Sequence, residues 1–189
     1  MVNPSSPSTA LYVDTPLGQL KFYTDLAGGK TVNLKLAQVK IEPTLPAGYS
    51  VSACVAVFLE FSVTENVTGF QFHCDWENFD GKGYGNTGEG LDAWEWEHNG
   101  HLVMVGTEDA DRLNARIPLV PLQLIPSEYP ITMEANKMSI RLEKLPEGKS
   151  YSLHFIVAWN PYPEPKDCSC WYAVDVPHKM IAQMFANAG

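Results

Sequence analysis

Trp94-Glu95-Trp96-Glu97-His98-Asn99-Gly100-His101-Leu102-Val103-Met104-Val105 decides how this chain folds. Two alternating runs flank Asn99-Gly100, the residue pair that best accepts the positive φ needed at both central positions of a two-residue hairpin turn. That turn fixes a register. His98 faces His101, Trp96 faces Val103 and Trp94 faces Val105 on one side, with Glu97 beside Leu102 and Glu95 beside Met104 on the other. Trp94 and Trp96, sharing a face with Val103 and Val105, are candidates for core.

Working outward, the same period of two recurs. Phe70, Phe72, Cys74 and Trp76 alternate with Gln71, His73, Asp75 and Glu77, so one face is expected to pack and the other to be wet. From Val51 to Val63 every odd position is apolar, which predicts a long strand with a buried face. Before it, Val32, Leu34 and Leu36 have one parity and Ala37, Val39 and Ile41 the other; a bulge near Leu36 and Ala37 would turn both sets to one core. The turn formers of Pro43 to Gly48 make these two strands a hairpin. Met138, Ile140 and Leu142 alternate with polar residues, a strand follows from Tyr151 to Asn160, and a last strand is predicted from Cys170 to Val174. Pro118, Pro121, Pro126 and Pro130 exclude a regular central strand or helix between Ile117 and Ile131, leaving an extended edge or crossover. After Pro177, the residues Met180, Ile181, Met184, Phe185 and Ala188 recur at helical spacing. The fold expected is an all-β antiparallel β-sandwich, immunoglobulin-like or jelly-roll, with a short C-terminal helix, spanning 1–189 as a single domain.

Leu145-Pro146-Glu147-Gly148-Lys149-Ser150-Tyr151-Ser152-Leu153 resembles the corner between neighbouring strands of immunoglobulin-like sandwiches. The resemblance implies that the Tyr151 hydroxyl bonds back to upstream backbone. It is confined to this corner and assigns no family.

Charge narrows the partners. Thirteen Lys and Arg against twenty-two Asp and Glu leave a formal charge of -9, and the basic residues are scattered. The average field repels polyanions, which argues against nucleic acid and acidic membranes and leaves small cations and neutral ligands. No run approaches the length of a membrane span. Met1 to Ala10 shows neither a basic start nor an apolar stretch of signal-peptide length, so a cytoplasmic protein with reduced Cys54, Cys74, Cys168 and Cys170 is expected. The sequon Asn66-Val67-Thr68 carries little weight in that setting.

Candidate chemistry gathers between Phe70 and Val105, which holds three of the five Trp and three of the five His. His98 and His101 would approach closely enough to share a first-row metal if His73, Asp75 or Asp92 completed the set; two exposed polar residues beside a turn is the favoured reading. Gly83-Tyr84-Gly85-Asn86-Thr87-Gly88 matches G-x-G-x-x-G but precedes a hairpin strand, not a helix, and is discarded as a dinucleotide site. Asn78-Phe79-Asp80-Gly81 lacks the remaining EF-hand ligands, leaving only an irregular calcium site from Asp75, Glu77 and Asp80 as an alternative to a solvated loop. Asp75, Glu77, Glu95 and Glu97 are carboxylates that would serve an acid–base enzyme, yet no nucleophile or metalloprotease motif accompanies them. Cys168-Ser169-Cys170 has no second pair with which to hold zinc. His154 and His178 lack an evident partner.

The reading that follows is a non-enzymatic binding module for a small polar, carbohydrate-like ligand or a protein partner, using the Gly-rich loop 78–90 and adjacent strand ends. Its expected binding residues are His73, Asp75, Trp76, Asp80, Tyr84 and Asn86, with Trp76 the leading candidate for a solvent-facing aromatic. The alternatives are a small hydrolase or isomerase/cyclase on the same surface, and a self-assembling or partner-docking structural protein that uses the Pro-rich edge or forms an oligomer through the C-terminal helix. No cofactor or metal is predicted; calcium and a first-row metal are the ions whose ligand types the segment carries.

Overall fold

The computed structural model describes residues 10–25, 31–88, 90–118 and 129–188. In chain order the first strands are β1 (Leu11–Thr15), β2 (Gly18–Thr24), β3 (Thr31–Lys40), β4 (Ala53–Val63) and β5 (Val67–Trp76). Then come β6 (Gly83–Gly88), β7 (Leu91–His98), β8 (His101–Glu108) and the helix α1 (Ala110–Arg116). The remainder is β9 (Ile131–Glu134), β10 (Lys137–Leu145), β11 (Ser150–Pro161), α2 (Ser169–Val174) and α3 (His178–Ala188). One sheet has the order β1-β2-β5-β10-β9 and the other β3-β4-β11-β8-β7-β6, with every pairing antiparallel. The two sheets pack as a sandwich.

The Asn99-Gly100 hairpin forms with the expected register, from Leu91 opposite Glu108 to His98 opposite His101. Asn99 has φ 48° and Gly100 φ 74°, the left-handed values that selected these residues. Trp96 is fully buried and Trp94 partly so, both against the sandwich core.

The six-stranded sheet is buried on both faces. Odd positions of β4 and β11, such as Val57, Leu59, Phe61, Leu153 and Phe155, fill the space between the sheets. Even positions, such as Cys54, Ala56, Phe58, Ile156 and Ala158, pack beneath α2 and α3 through Cys170, Val174, Ile181 and Phe185. Each large apolar side chain fully buried in these layers contributes about 1.5–3 kcal/mol.

This second layer corrects the reading of β3. Leu34 and Leu36 face the sandwich while Ala37, Val39 and Ile41 face the helices, so the two parities serve two cores. No bulge is needed at Leu36 and Ala37, and the register shift falls between Val32 and Lys35, where Asn33 has φ 56°.

Residues 170–174, expected as a strand, belong to α2. Ser169, Cys170, Ala173 and Val174 are buried there, a spacing that lays one helical face on the sheet. The C-terminal helix forms where expected, but its stripe is narrower. Ile181 and Phe185 are buried, Met184 is half-buried and Met180 is 44 % exposed. Phe185 stacks on Phe58 with centroids 5.0 Å apart. Of the proline-punctuated segment, 119–128 lie outside the described residues.

At the corner resembling immunoglobulin-like sandwiches, the chain does pass from one sheet (β10) to the other (β11). The implied hydrogen bond is not made: the Tyr151 hydroxyl is buried and has no partner among the described residues. Among the described residues no helix is long and apolar enough to cross a membrane.

Candidate functional site

The six residues expected to bind ligand are dispersed. His73 is 1 % exposed on what was to be a wet face, because the Tyr23 ring of β2 packs, tilted, against its ring with centroids 4.8 Å apart. Its Nδ1 meets Ser139 Oγ at 2.8 Å and its Nε2 meets Asp25 Oδ2 at 2.8 Å, so both ring nitrogens are occupied. Asp75 accepts from the Tyr23 hydroxyl at 3.3 Å. Trp76 is not the solvent-facing aromatic expected: it is 6 % exposed, edge-on to Trp96 at 5.4 Å and packed against Phe79. Asp80 is exposed and Tyr84 is 64 % exposed.

The loop 78–90 is not a loop throughout, since Gly83–Gly88 is the edge strand β6. The glycines are explained by packing. A Cβ on Gly83 would fall on the indole Nε1 of Trp94, and one on Gly85 would lie 3.1 Å from the same indole and 3.0 Å from Met133 Sδ. The bare backbone at these alternate positions lets the Trp94 ring lie across the strand. Gly83 N–H and Trp96 Nε1–H both donate to the Ala135 carbonyl, each at 3.1 Å, tying the strand to the turn between β9 and β10.

Opposite parity sets which side chains the other face of β6 presents. Tyr84 pairs with Glu95 and Asn86 with Ala93, so Tyr84, Asn86, Glu95 and Glu97 point toward the helix side of the sheet. There a cavity of about 430 Å³ opens between β6, β7, β8 and the segment joining β11 to α2. Asn86 alone of the six expected residues lines it. Glu95, Glu97, Glu164 and Asp167 supply four carboxylates, Tyr162 and Trp171 two aromatic rings, and no Lys, Arg or His lines it among the described residues.

Glu95 binds its proton more tightly than an ordinary glutamate, chiefly through burial; a hydrogen bond from Asn86 opposes this, and the charges of Glu97 and Glu164 add to it. Tyr162 donates its hydroxyl to Glu97, which raises the phenol's proton affinity. Glu164 is fixed from behind, accepting at Oε1 from Asn160 Nδ2 and from the Cys170 backbone N–H, each at 2.9 Å. Sequence reasoning singled out Glu95 and Glu97 but not Tyr162, Glu164, Asp167 or Trp171. The Pro-rich run from Pro161 to Pro165 was the available signal, since such a segment places side chains without needing a ladder.

Metal readings fare differently. Among the described residues, no group of three ligand-type side chains includes His98, His101, Asp75, Glu77 or Asp80. The group that does form is buried: Glu108, His154 and His178 place their ligand atoms within 4.8 Å of one another. Its members already have partners. Arg116 Nη2 donates to Glu108 Oε2 at 2.6 Å, and His154 Nδ1 and His178 Nδ1 share a hydrogen bond at 2.8 Å. A dication there would sit beside a guanidinium, so the cluster needs no metal to explain it. His154 and His178, without evident partners in the sequence, are partners of each other. The four cysteines are free thiols.

This chain matches no protein-family model, no curated protein and no solved structure.

Proposed function

We propose that this protein is a non-enzymatic binding module for a small organic cation, taken up in the cavity between β6, β7, β8 and the residues before α2. The observation that carries the proposal is the convergence of Glu95, Glu97, Glu164 and Asp167 around one cavity that no basic side chain lines among the described residues. Carboxylates held together without a counter-charge repel one another, and a bound cation relieves that repulsion. Tyr162 and Trp171 add ring faces on which an alkylammonium or guanidinium stacks, each such contact contributing about 0.5–2 kcal/mol. A neutral sugar would gain from the rings and hydrogen bonds alone and would leave the carboxylate repulsion in place.

Calorimetric titration with tetramethylammonium, arginine methyl ester, glucose and calcium tests this. Saturable binding of the organic cations, weakened roughly tenfold or more by Glu95→Gln, is expected from the loss of one charge-assisted contact. Glucose binding as tightly as the cations, or the absence of saturable cation binding, refutes it.

A further inference from the structure

Among the described residues the sheets end at β1, β9, β3 and β6, and β6 differs from the other edges. The edge strand β3 carries Lys35 and Lys40 and a register shift between Val32 and Lys35. The strands β1 and β9 are short and carry Asp14 and Glu134. Charges, irregular register and short length all discourage a further strand from pairing. Gly83–Gly88 of β6 has no charged residue and no proline, and it pairs with β7 residue for residue without a shift.

The backbone of β6 also offers hydrogen bonds outward. Gly83 N–H donates to the Ala135 carbonyl and not to β7, so it points away from the sheet. Alternate residues of an antiparallel strand point the same way, which aims the N–H and C=O of Gly85 and of Thr87 outward as well. Both residues are exposed, and these groups have no hydrogen-bond partner among the described residues.

A strand added along this edge would continue the alternation of faces. Its residue opposite Asn86 sends a side chain to the helix side of the sheet, between Tyr84 and Trp171. Trp171 rests over the end of β6, where a Cβ on Gly88 would come within 2.7 Å of its ring. That position is the rim of the carboxylate cavity, since Asn86 and Trp171 line it and Glu95 stands one strand further in. Neighbouring strands lie about 4.8 Å apart, so the added strand is two such steps from β7. The long stem of a Lys or Arg crosses that span over Asn86 and brings its charge to Glu95, whereas a short side chain stops at Asn86.

We propose that the cation taken up by the cavity is the Lys or Arg side chain of an extended peptide that adds as a strand to the β6 edge, an inference that rests on the cation reading of the cavity. The peptide's main chain pairs with Gly85 and Thr87, and its basic side chain, opposite Asn86, meets Glu95 and the Trp171 ring. Main-chain pairing supplies affinity and the cavity selects the charge. The pairing stops at Gly83, whose N–H is already taken by Ala135.

The full chain is titrated by calorimetry with a capped pentapeptide of valine, threonine, lysine, threonine and valine, with the same peptide carrying norleucine for lysine, with a version N-methylated at both threonines, and with capped lysine alone. The lysine peptide is expected to bind saturably, about tenfold or more tighter than capped lysine, because its threonines bond to Gly85 and Thr87. The norleucine peptide should bind about tenfold or more weaker, and N-methylation should reduce affinity to that of capped lysine. Amide hydrogen exchange at Gly85 and Thr87 should slow when the lysine peptide binds. Equal binding of the norleucine or N-methylated peptide overturns the proposal, as does unchanged exchange at both amides. So does a protein that sediments as a dimer with these amides already protected, which would assign the edge to a second copy. Tetramethylammonium, titrated alongside, separates the two readings. If it binds and the lysine peptide binds no tighter than capped lysine, the edge inference fails and the cavity reading stands; if neither binds, the cavity reading fails and takes this inference with it. Lysine-dependent peptide binding without tetramethylammonium binding would support the edge and refute a free small cation as the ligand.

Discussion

The buried histidine pair sets an acid limit on this fold, and its size follows from the structure. His154 is 2 % and His178 6 % exposed. Burial, then the charge of His178, then that of Arg116 hold His154 well below the ordinary 6.5; burial and then Arg116 push His178 down to about 3. In the unfolded chain both rings take up protons as the pH drops through their ordinary range, so below that range the unfolded state holds more protons than the folded one. Stability therefore falls with pH by about 1.4 kcal/mol per pH unit for each histidine. At about pH 4.5 the pair costs about 5 kcal/mol, against a total stability of about 5–15 kcal/mol for an ordinary domain. Asp92 acts the other way. Burial, resisted by the hydrogen bond from Tyr129 and helped by Asp109, pushes its carboxyl up to about 6, so the folded state gains a proton first and offsets one histidine over part of the same range. His154→Gln separates these contributions. In urea unfolding followed by Trp fluorescence from about pH 7 to about pH 4.5, the variant's stability should fall with a slope shallower than wild type by about 1.4 kcal/mol per pH unit. The level of stability at neutral pH does not bear on this. Identical slopes for variant and wild type would refute the assignment of a neutral, buried His154.

Three further outcomes follow from the packing and the carboxylate cavity. Gly83→Ala places a methyl on the Trp94 indole and should cost about 1–3 kcal/mol, read as a lower melting midpoint; a change within about 0.5 kcal/mol would mean the indole moves freely. Phe185→Ala removes the ring stacked on Phe58 and should cost about 3–5 kcal/mol without changing the sedimentation coefficient; a folded variant of altered oligomeric state would show that this helix face serves another copy. Tetramethylammonium affinity should decline as pH drops, beginning at a higher pH than an ordinary glutamate would give, since the Glu95 proton is held more tightly than usual. Glu95→Gln should remove that early decline, and a wild-type affinity flat across the same range would exclude Glu95 from the site.

Local pattern determined much of this protein. The Asn99-Gly100 turn, the register of Trp96 on Val103, the long β4 and the terminal helix each rest on neighbours a few residues apart, so period and turn chemistry suffice to place them. What the sequence left open depends on which elements cover which faces. Period two says that β3 has two apolar parities but not that a helical layer receives one of them. It marks His73 as polar but not that Tyr23, fifty residues earlier, covers it. Gly83 and Gly85 read as a loop because glycine's local meaning is freedom, whereas here it is clearance for an indole from the next strand. His154 and His178 meet only when α3 folds onto β11, and Glu95 meets Glu164 only when the Pro-rich segment returns across β7. Contacts between residues far apart in the chain are set by the packing of whole layers, so the secondary pattern was legible in the sequence and the sites were decided by tertiary structure.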